Sequence, residues 1–154
     1  MSLTIHKNCP EHLDRFIALN EQWIEKYFQI EPSDRALADD PASVWEKGGA
    51  IYTGTIDKKV VGCCALFNKG EGLFELARMA VDPAFQGRGI GRQLAGHALS
   101  ELKTMKARRV ELMSNCVLKP AIALYRSLGF EVLQEGKHSV YSRCNVVMSM
   151  DLTE

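Results

Sequence analysis

Between Leu13 and Phe28 the apolar residues Leu13, Phe16, Ile17, Trp23, Ile24, Tyr27 and Phe28 recur close to a helical period, and a helix is predicted there. Pro32 and Pro41 punctuate a second, more irregular helical region running to about Lys47. Strand patterns surround these. Leu3–His6 reads as a short strand, Gly49–Thr55 and Lys59–Phe67 flank the polar turn Asp57-Lys58-Lys59 as a hairpin, and Leu73–Val81 follows Gly70-Glu71-Gly72 and stops at Asp82-Pro83. From Arg88 the period changes: Ile90, Leu94, Ala98 and Leu102 recur every four residues, the stripe of a helix packed on a sheet. Arg109–Met113 is a strand, Pro120–Leu128 a second packed helix with Ala121, Leu124, Tyr125 and Leu128 on one face, and Gly129 its C-terminal stop. Phe130–Leu133 and Val140–Leu152 finish as strands. A helical part, a run of strands and then strand–helix–strand–helix–strand make a mixed α/β protein, read as one domain over 1–154.

The chain has 154 residues, 46% hydrophobic and 25% charged, which excludes disordered and fibrous classes. The formal net charge is zero, so the basic footprint of a nucleic-acid binder is missing. That zero is a sum of opposed regions: residues 11–46 carry a net −6 and residues 78–109 a net +5. The N-terminus is too polar for a signal peptide, and the longest apolar stretch, Val60 to Phe67, falls short of the roughly 20 residues of a membrane span. Five cysteines without a C-x-x-C pair and four scattered histidines fit neither a disulfide framework nor a metal site. Reduced core cysteines and a cytoplasmic setting, without membrane partner, are expected.

The most informative segment is Gln86-Gly87-Arg88-Gly89-Ile90-Gly91-Arg92, between a strand and a helix. Glycines there let the backbone turn tightly and bring N–H groups to a ligand, and the helix start adds unpaired donors and its positive dipole end. The result is an anion site suited to a pyrophosphate, to which Arg88 and Arg92 add charge. A dinucleotide fingerprint fails because its third glycine falls on Arg92, and the Gly-Lys-Ser/Thr of a P-loop is absent.

Gln86-x-x-Gly89-x-Gly91 resembles the Q/R-x-x-G-x-G/A signature of the GNAT acetyltransferases. Met79-Ala80-Val81-Asp82-Pro83 resembles the strand that precedes that signature, and Ala121 to Phe130 resembles the family's A-x-x-x-Y-x-x-x-G-F motif. The resemblance implies a mixed, mostly antiparallel central sheet flanked by helices on both faces. It further implies acetyl-coenzyme A as cosubstrate without a metal, an amine acceptor, and the dimers common among such proteins. Cofactor contacts carried over by the motifs are Met79, Ala80, Val81, Gln86, Gly87, Arg88, Gly89, Ile90, Gly91 and Arg92. The amide of Met79 is then the donor to the thioester carbonyl, and Val81 pairs with the pantetheine arm. Many members place Asn seven residues before the motif tyrosine; here Leu118 stands there, and Asn115 is the nearest substitute.

Strand alternation predicts that Glu75 shares a face with Leu73, Ala77, Met79 and Val81, where a carboxylate is out of place in a purely structural sheet. Eleven residues before Gln86, Glu75 also matches the general-base glutamate of some GNAT members. Tyr125 is by default a core aromatic; the resemblance makes it the general acid for the departing thiolate. Cys116 has no histidine neighbour in the sequence and reads as a small buried residue. Arg143 and Asn145, with Tyr141, read as a solvated strand face.

In proteins that look like this the first two helices wall the acceptor pocket, which nominates Trp23, Tyr27, Phe28 and Glu31 as substrate contacts. The acidic wall would draw a cationic amine while the basic region receives the coenzyme. Two functions are carried forward: an N-acetyltransferase acting on a primary amine of a small molecule or peptide by direct transfer in a ternary complex, or a non-catalytic acyl-coenzyme A sensor. Glu75 and Tyr125 together favour the enzyme.

Overall fold

A computed structural model describes residues 2–136 and 144–153; the expectations for Val140, Tyr141 and Arg143 lie outside them. The described strands are β1 (Thr4–Lys7), β2 (Ala50–Ile56), β3 (Lys59–Gly70), β4 (Leu73–Val81), β5 (Arg109–Ser114), β6 (Glu131–Glu135) and β7 (Val146–Asp151). They form one sheet in the order β1-β2-β3-β4-β5-β7-β6. Every neighbouring pair is antiparallel except β4 and β5. That parallel pair requires a crossover, supplied by α4 (Ile90–Thr104). The other helices are α1 (Leu13–Tyr27), α2 (Pro32–Asp39), α3 (Ser43–Glu46) and α5 (Lys119–Ser127). None is long and apolar enough to cross a membrane.

The helices cover both faces of the sheet. Phe16 and Leu19 of α1 and Val44 of α3 pack on Ile51, Val60, Cys63, Ala65 and Ala80. On the other face the predicted stripe Ile90, Leu94, Ala98 and Leu102 is buried against Tyr52, Val61, Cys64, Leu66 and Leu76, with Tyr125 of α5 beside it. The close approach of α4 depends on Gly62, where an added Cβ would meet Ile90 Cγ2 at 2.9 Å and Leu94 Cδ1 at 3.0 Å.

Two features of β4 shape the site. First, Ala65 pairs with Ala77 but Cys63 pairs with Ala80, so β4 spends an extra residue, and Arg78 sits there at φ +58°. Such a bulge inverts the side-chain alternation. Phe74, Leu76, Met79 and Val81 therefore join the α4 side, whereas Ala80 joins the α1 side. Glu75 stands opposite Phe67, itself packed on the α1 side, so Glu75 faces α1 and does not share a face with Met79 and Val81. The expected shared face is thus corrected by the bulge. Second, the β4–β5 pairing covers only Leu73, Phe74 and Glu75 against Arg109, Val110 and Glu111. Past Glu75 that ladder ends.

Candidate active site

A cavity of about 270 Å³ occupies the opening, lined by Glu75, Ala77, Arg78 and Met79 of β4, by Leu112 to Asn115, and by Leu118, Ala121 and Tyr125. Its other wall comes from Asn20, Trp23 and Ile24 of α1, then Phe28, Ser33, Phe67 and Lys69. Glu75, 9% exposed, has Lys69 Nζ at 3.4 Å. Burial lifts its carboxyl above the usual range against the opposing pull of Lys69 and Arg78, and Glu111 adds to the lift. Tyr125 reaches the same cavity from the other side of the sheet, its ring edge-on to Phe130 with centroids 6.0 Å apart. Burial pushes its phenol up to about 12, so it is protonated throughout the physiological range. Between them, Arg78 and Met79 fall in the gap between paired positions on β3 and beyond the end of pairing with β5.

The glycine turn follows. Asp82 caps the turn at Pro83–Phe85 by accepting the Ala84 N–H at 2.9 Å, and Arg15 of α1 holds its other oxygen at 2.8 Å. Gly87 and Gly89 adopt φ +81° and +75°, and Gly89 is the N-cap of α4. No atom lies within 4 Å of a Cβ placed on either glycine. The first-turn N–H groups of a helix have no intrahelical acceptor, and the uncrowded glycine turn before α4 leaves room for an anion such as the pyrophosphate of a coenzyme. Ile90 and Ala80 are each 3% exposed, so their side chains are not available to a ligand. Gln86 donates to Val81 O at 3.4 Å, Arg88 stacks 5.0 Å from the Phe85 ring, and Arg92 donates to Ser127 Oγ at 2.7 Å. Asn115, at the end of the opening, accepts the Val117 N–H at 3.0 Å.

The basic region is not one patch. Lys103, Lys106 and Arg108 stand at or beyond the C-terminal end of α4, about 22 Å from its start at 1.5 Å per residue, and Arg78 is paired with Asp34. Arg88 and Arg92 remain at the turn. Of the residues expected to contact an acceptor, Trp23 and Phe28 line the cavity, but Tyr27 and Glu31 do not. Tyr27 is 44% exposed beside Trp23, and Glu31 joins Asp34 in the capping box of α2. Among the described residues no carboxylate from 11–46 lines the cavity, so the acidic wall expected from the sequence faces elsewhere. Cys116 is exposed, contrary to the burial expected of it; Asn145 accepts its N–H at 2.8 Å and donates to its Sγ at 3.4 Å. Among the described residues no three His, Cys, Asp or Glu groups converge as a metal site.

Sequence reasoning did not find Asn20, Ser33, Asp34 or Lys69. Glu31-Pro32-Ser33-Asp34 is a readable helix-start pattern, and Lys69 lies two residues after the apolar Phe67 on the same strand face. Asn20, in mid-helix, carries no such signal; it donates to Phe16 O at 2.8 Å.

An α/β sheet split between two parallel strands, with a glycine-turn anion cradle at the following helix, defines the structural class. The model of the acetyltransferase (GNAT) domain family matches residues 47–132, and the chain belongs to that family. It is 47% identical over 113 residues to the [ribosomal protein bS18]-alanine N-acetyltransferase of Salmonella typhimurium, covering 70% of this chain and 64% of that one. It is 34% identical over 89 residues to the uncharacterized N-acetyltransferase YjgM of Escherichia coli, covering 56% of this chain and 53% of that one. The matches thus span 53% and 64% of the length of these relatives. In fold, it is similar to an acetyltransferase of the GNAT family from Staphylococcus aureus, TM-score 0.88 at 16% identity, over 99% of this chain and 100% of the other. It is also similar to a GNAT superfamily phosphinothricin acetyltransferase of Sinorhizobium meliloti in complex with AcCoA, TM-score 0.82 at 18% identity, over 100% and 90%.

Proposed function

We propose that this chain is an acetyl-coenzyme A-dependent N-acetyltransferase that moves an acetyl group directly to a primary amine of a small molecule or peptide in a ternary complex. The observation that carries the reading is one cavity holding a buried carboxylate, Glu75, and a buried phenol, Tyr125, at the mouth of a split sheet. Acetyl-coenzyme A supplies the activated acetyl group when bound.

The N–H groups of Gly89 to Arg92 would hold its pyrophosphate, with Arg88 and Arg92 adding charge. Met79, at the bulge, offers a backbone N–H to the carbonyl oxygen, a donor whose position is fixed by the strand. Glu75 Oε1 or Oε2 takes the proton of the incoming amine, for which a raised pKa makes it a better base. Tyr125 Oη gives the proton that the departing sulfur needs. Burial keeps that phenol protonated near neutral pH, so the proton is available to give. Trp23, Phe28 and Phe67 exclude water from the acceptor half.

The test is thiol release from acetyl-coenzyme A with a panel of primary amines and N-terminal peptides. Turnover with at least one acceptor is expected. Tight coenzyme binding with no acceptor anywhere would identify a sensor instead.

A further inference from the structure

Arg78 occupies the bulge next to Met79, and a non-glycine residue at φ +58° must be held there by its surroundings. The hold comes from α2. Arg78 Nη1 donates to Asp34 Oδ1, the two side chains being 16% and 2% exposed. Asp34 Oδ2 accepts the Glu31 N–H at 2.8 Å, completing the capping box that starts α2. One carboxylate therefore ties the beginning of α2 to the bulge of β4 across 44 positions of chain. Arg78 and Ser33 line the cavity, while Asp34 stands behind them.

We propose that Asp34 and Arg78 are a positioning and specificity-determining pair for the acceptor, holding the cavity wall in place and cancelling the charge of a guanidinium that would otherwise face the incoming amine. The inference rests on the acetyltransferase reading above. A buried ion pair adds little net stability compared with apolar packing, so a task at the site accounts for it better than folding does. Among the described residues the other lysine or arginine lining the cavity, Lys69, is likewise countered, by Glu75. With both cations neutralised, an ammonium can approach Glu75 without repulsion. Asp34→Asn leaves the guanidinium uncompensated beside Glu75, where it repels an acceptor that is only cationic and attracts one that also carries a carboxylate.

The experiment uses matched acceptors that differ by one carboxylate, phenethylamine with phenylalanine and putrescine with ornithine, assayed on wild type, Asp34→Asn, Arg78→Lys and Arg78→Met. Coenzyme A affinity is measured by calorimetry and folding by circular dichroism. For Asp34→Asn, the kcat/KM ratio of carboxylate-bearing to carboxylate-free acceptor rises about tenfold or more, the size of effect expected of a rearranged charge. Coenzyme A affinity stays within about twofold, because the cradle is a separate turn of the chain. Arg78→Lys keeps the pair and the wild-type ratio, and Arg78→Met leaves the Asp34 carboxylate without its cation, which repels the carboxylate-bearing acceptor and lowers the ratio.

An unchanged ratio in a folded Asp34→Asn protein overturns the inference. So does an equal loss on both acceptors accompanied by a matching loss of coenzyme A affinity. If Asp34→Asn does not fold, Arg78→Met decides by the same ratio; failure of both to fold leaves a structural role only and also overturns it. A wild type that binds coenzyme A but acetylates no amine of the panel removes the activity itself, a result distinct from unchanged ratios in an active enzyme.

Discussion

Glu75 and Tyr125 approach one cavity from opposite faces of the sheet. Glu75 shares its face with Phe67 under α1, and Tyr125 packs with Phe130 on the α4 side. They meet because β4 and β5 part after Glu75. The proposed base and acid thus stand on opposite faces of the sheet where no β4–β5 pairing lies between them, which leaves space for the group in transit.

Glu75→Gln is expected to lower kcat by about a hundred- to ten-thousand-fold, the usual contribution of a positioned base, with the KM for acetyl-coenzyme A little changed. As the proposed base its active form is the carboxylate, and its pKa is raised, so wild-type activity should fall as pH drops through a value above the ordinary glutamate one. Lys69 pulls that pKa down; Lys69→Met should move the acid limb to higher pH. A pH–rate profile of the three proteins checks this, and a limb that survives in Glu75→Gln would assign it to another group.

Tyr125→Phe keeps the ring against Phe130 and removes only the hydroxyl. A drop in kcat with wild-type coenzyme A affinity and an unaltered melting temperature is expected. Because the phenol is pushed up to about 12, wild type should show no alkaline loss from Tyr125 below about pH 10. Tyr125→Ala empties a core position and should cost about 3–5 kcal/mol in denaturant unfolding.

The helical stripe Ile90, Leu94, Ala98, Leu102 was legible because an i+4 repeat is a local property of the chain, and the glycine turn was legible because its spacing is itself the signal. The Leu73–Val81 strand was legible as a strand but not in its facing. Nothing in that run marks Arg78 as the extra residue; the bulge appears only through pairing with Cys63 and Ala65. The site's cross-links were unreadable for the same reason: Asp34 meets Arg78 and Arg15 meets Asp82 across tens of residues. The charge runs misled about the cavity because a run counts residues without regard to the face each one takes.

Gly89→Ala tests the cradle. No neighbour obstructs the new methyl, so the cost is conformational, about 1 kcal/mol for a left-handed alanine at φ +75°. Calorimetry should show weaker coenzyme A binding while acceptor preference is unchanged.

Thiol reagents should report the fold. Cys116 is exposed and should react at once in native protein; Cys63 and Cys64, buried and with thiols pushed far up, should react only after unfolding. Rapid native labelling at Cys63 would mean that α1 does not stay on the sheet.

The short β4–β5 ladder makes the sheet two plates riveted along three residue pairs. One plate carries the wall proposed for the acceptor, the other the phenol. The apex of the wedge between them is set by where the rivets stop, and each added or lost pair moves it by about 3.3 Å along the strand. How deep a ligand penetrates is therefore governed at Leu73–Glu75 and Arg109–Glu111, a seam that can be altered without replacing the side chains at the wedge's open end.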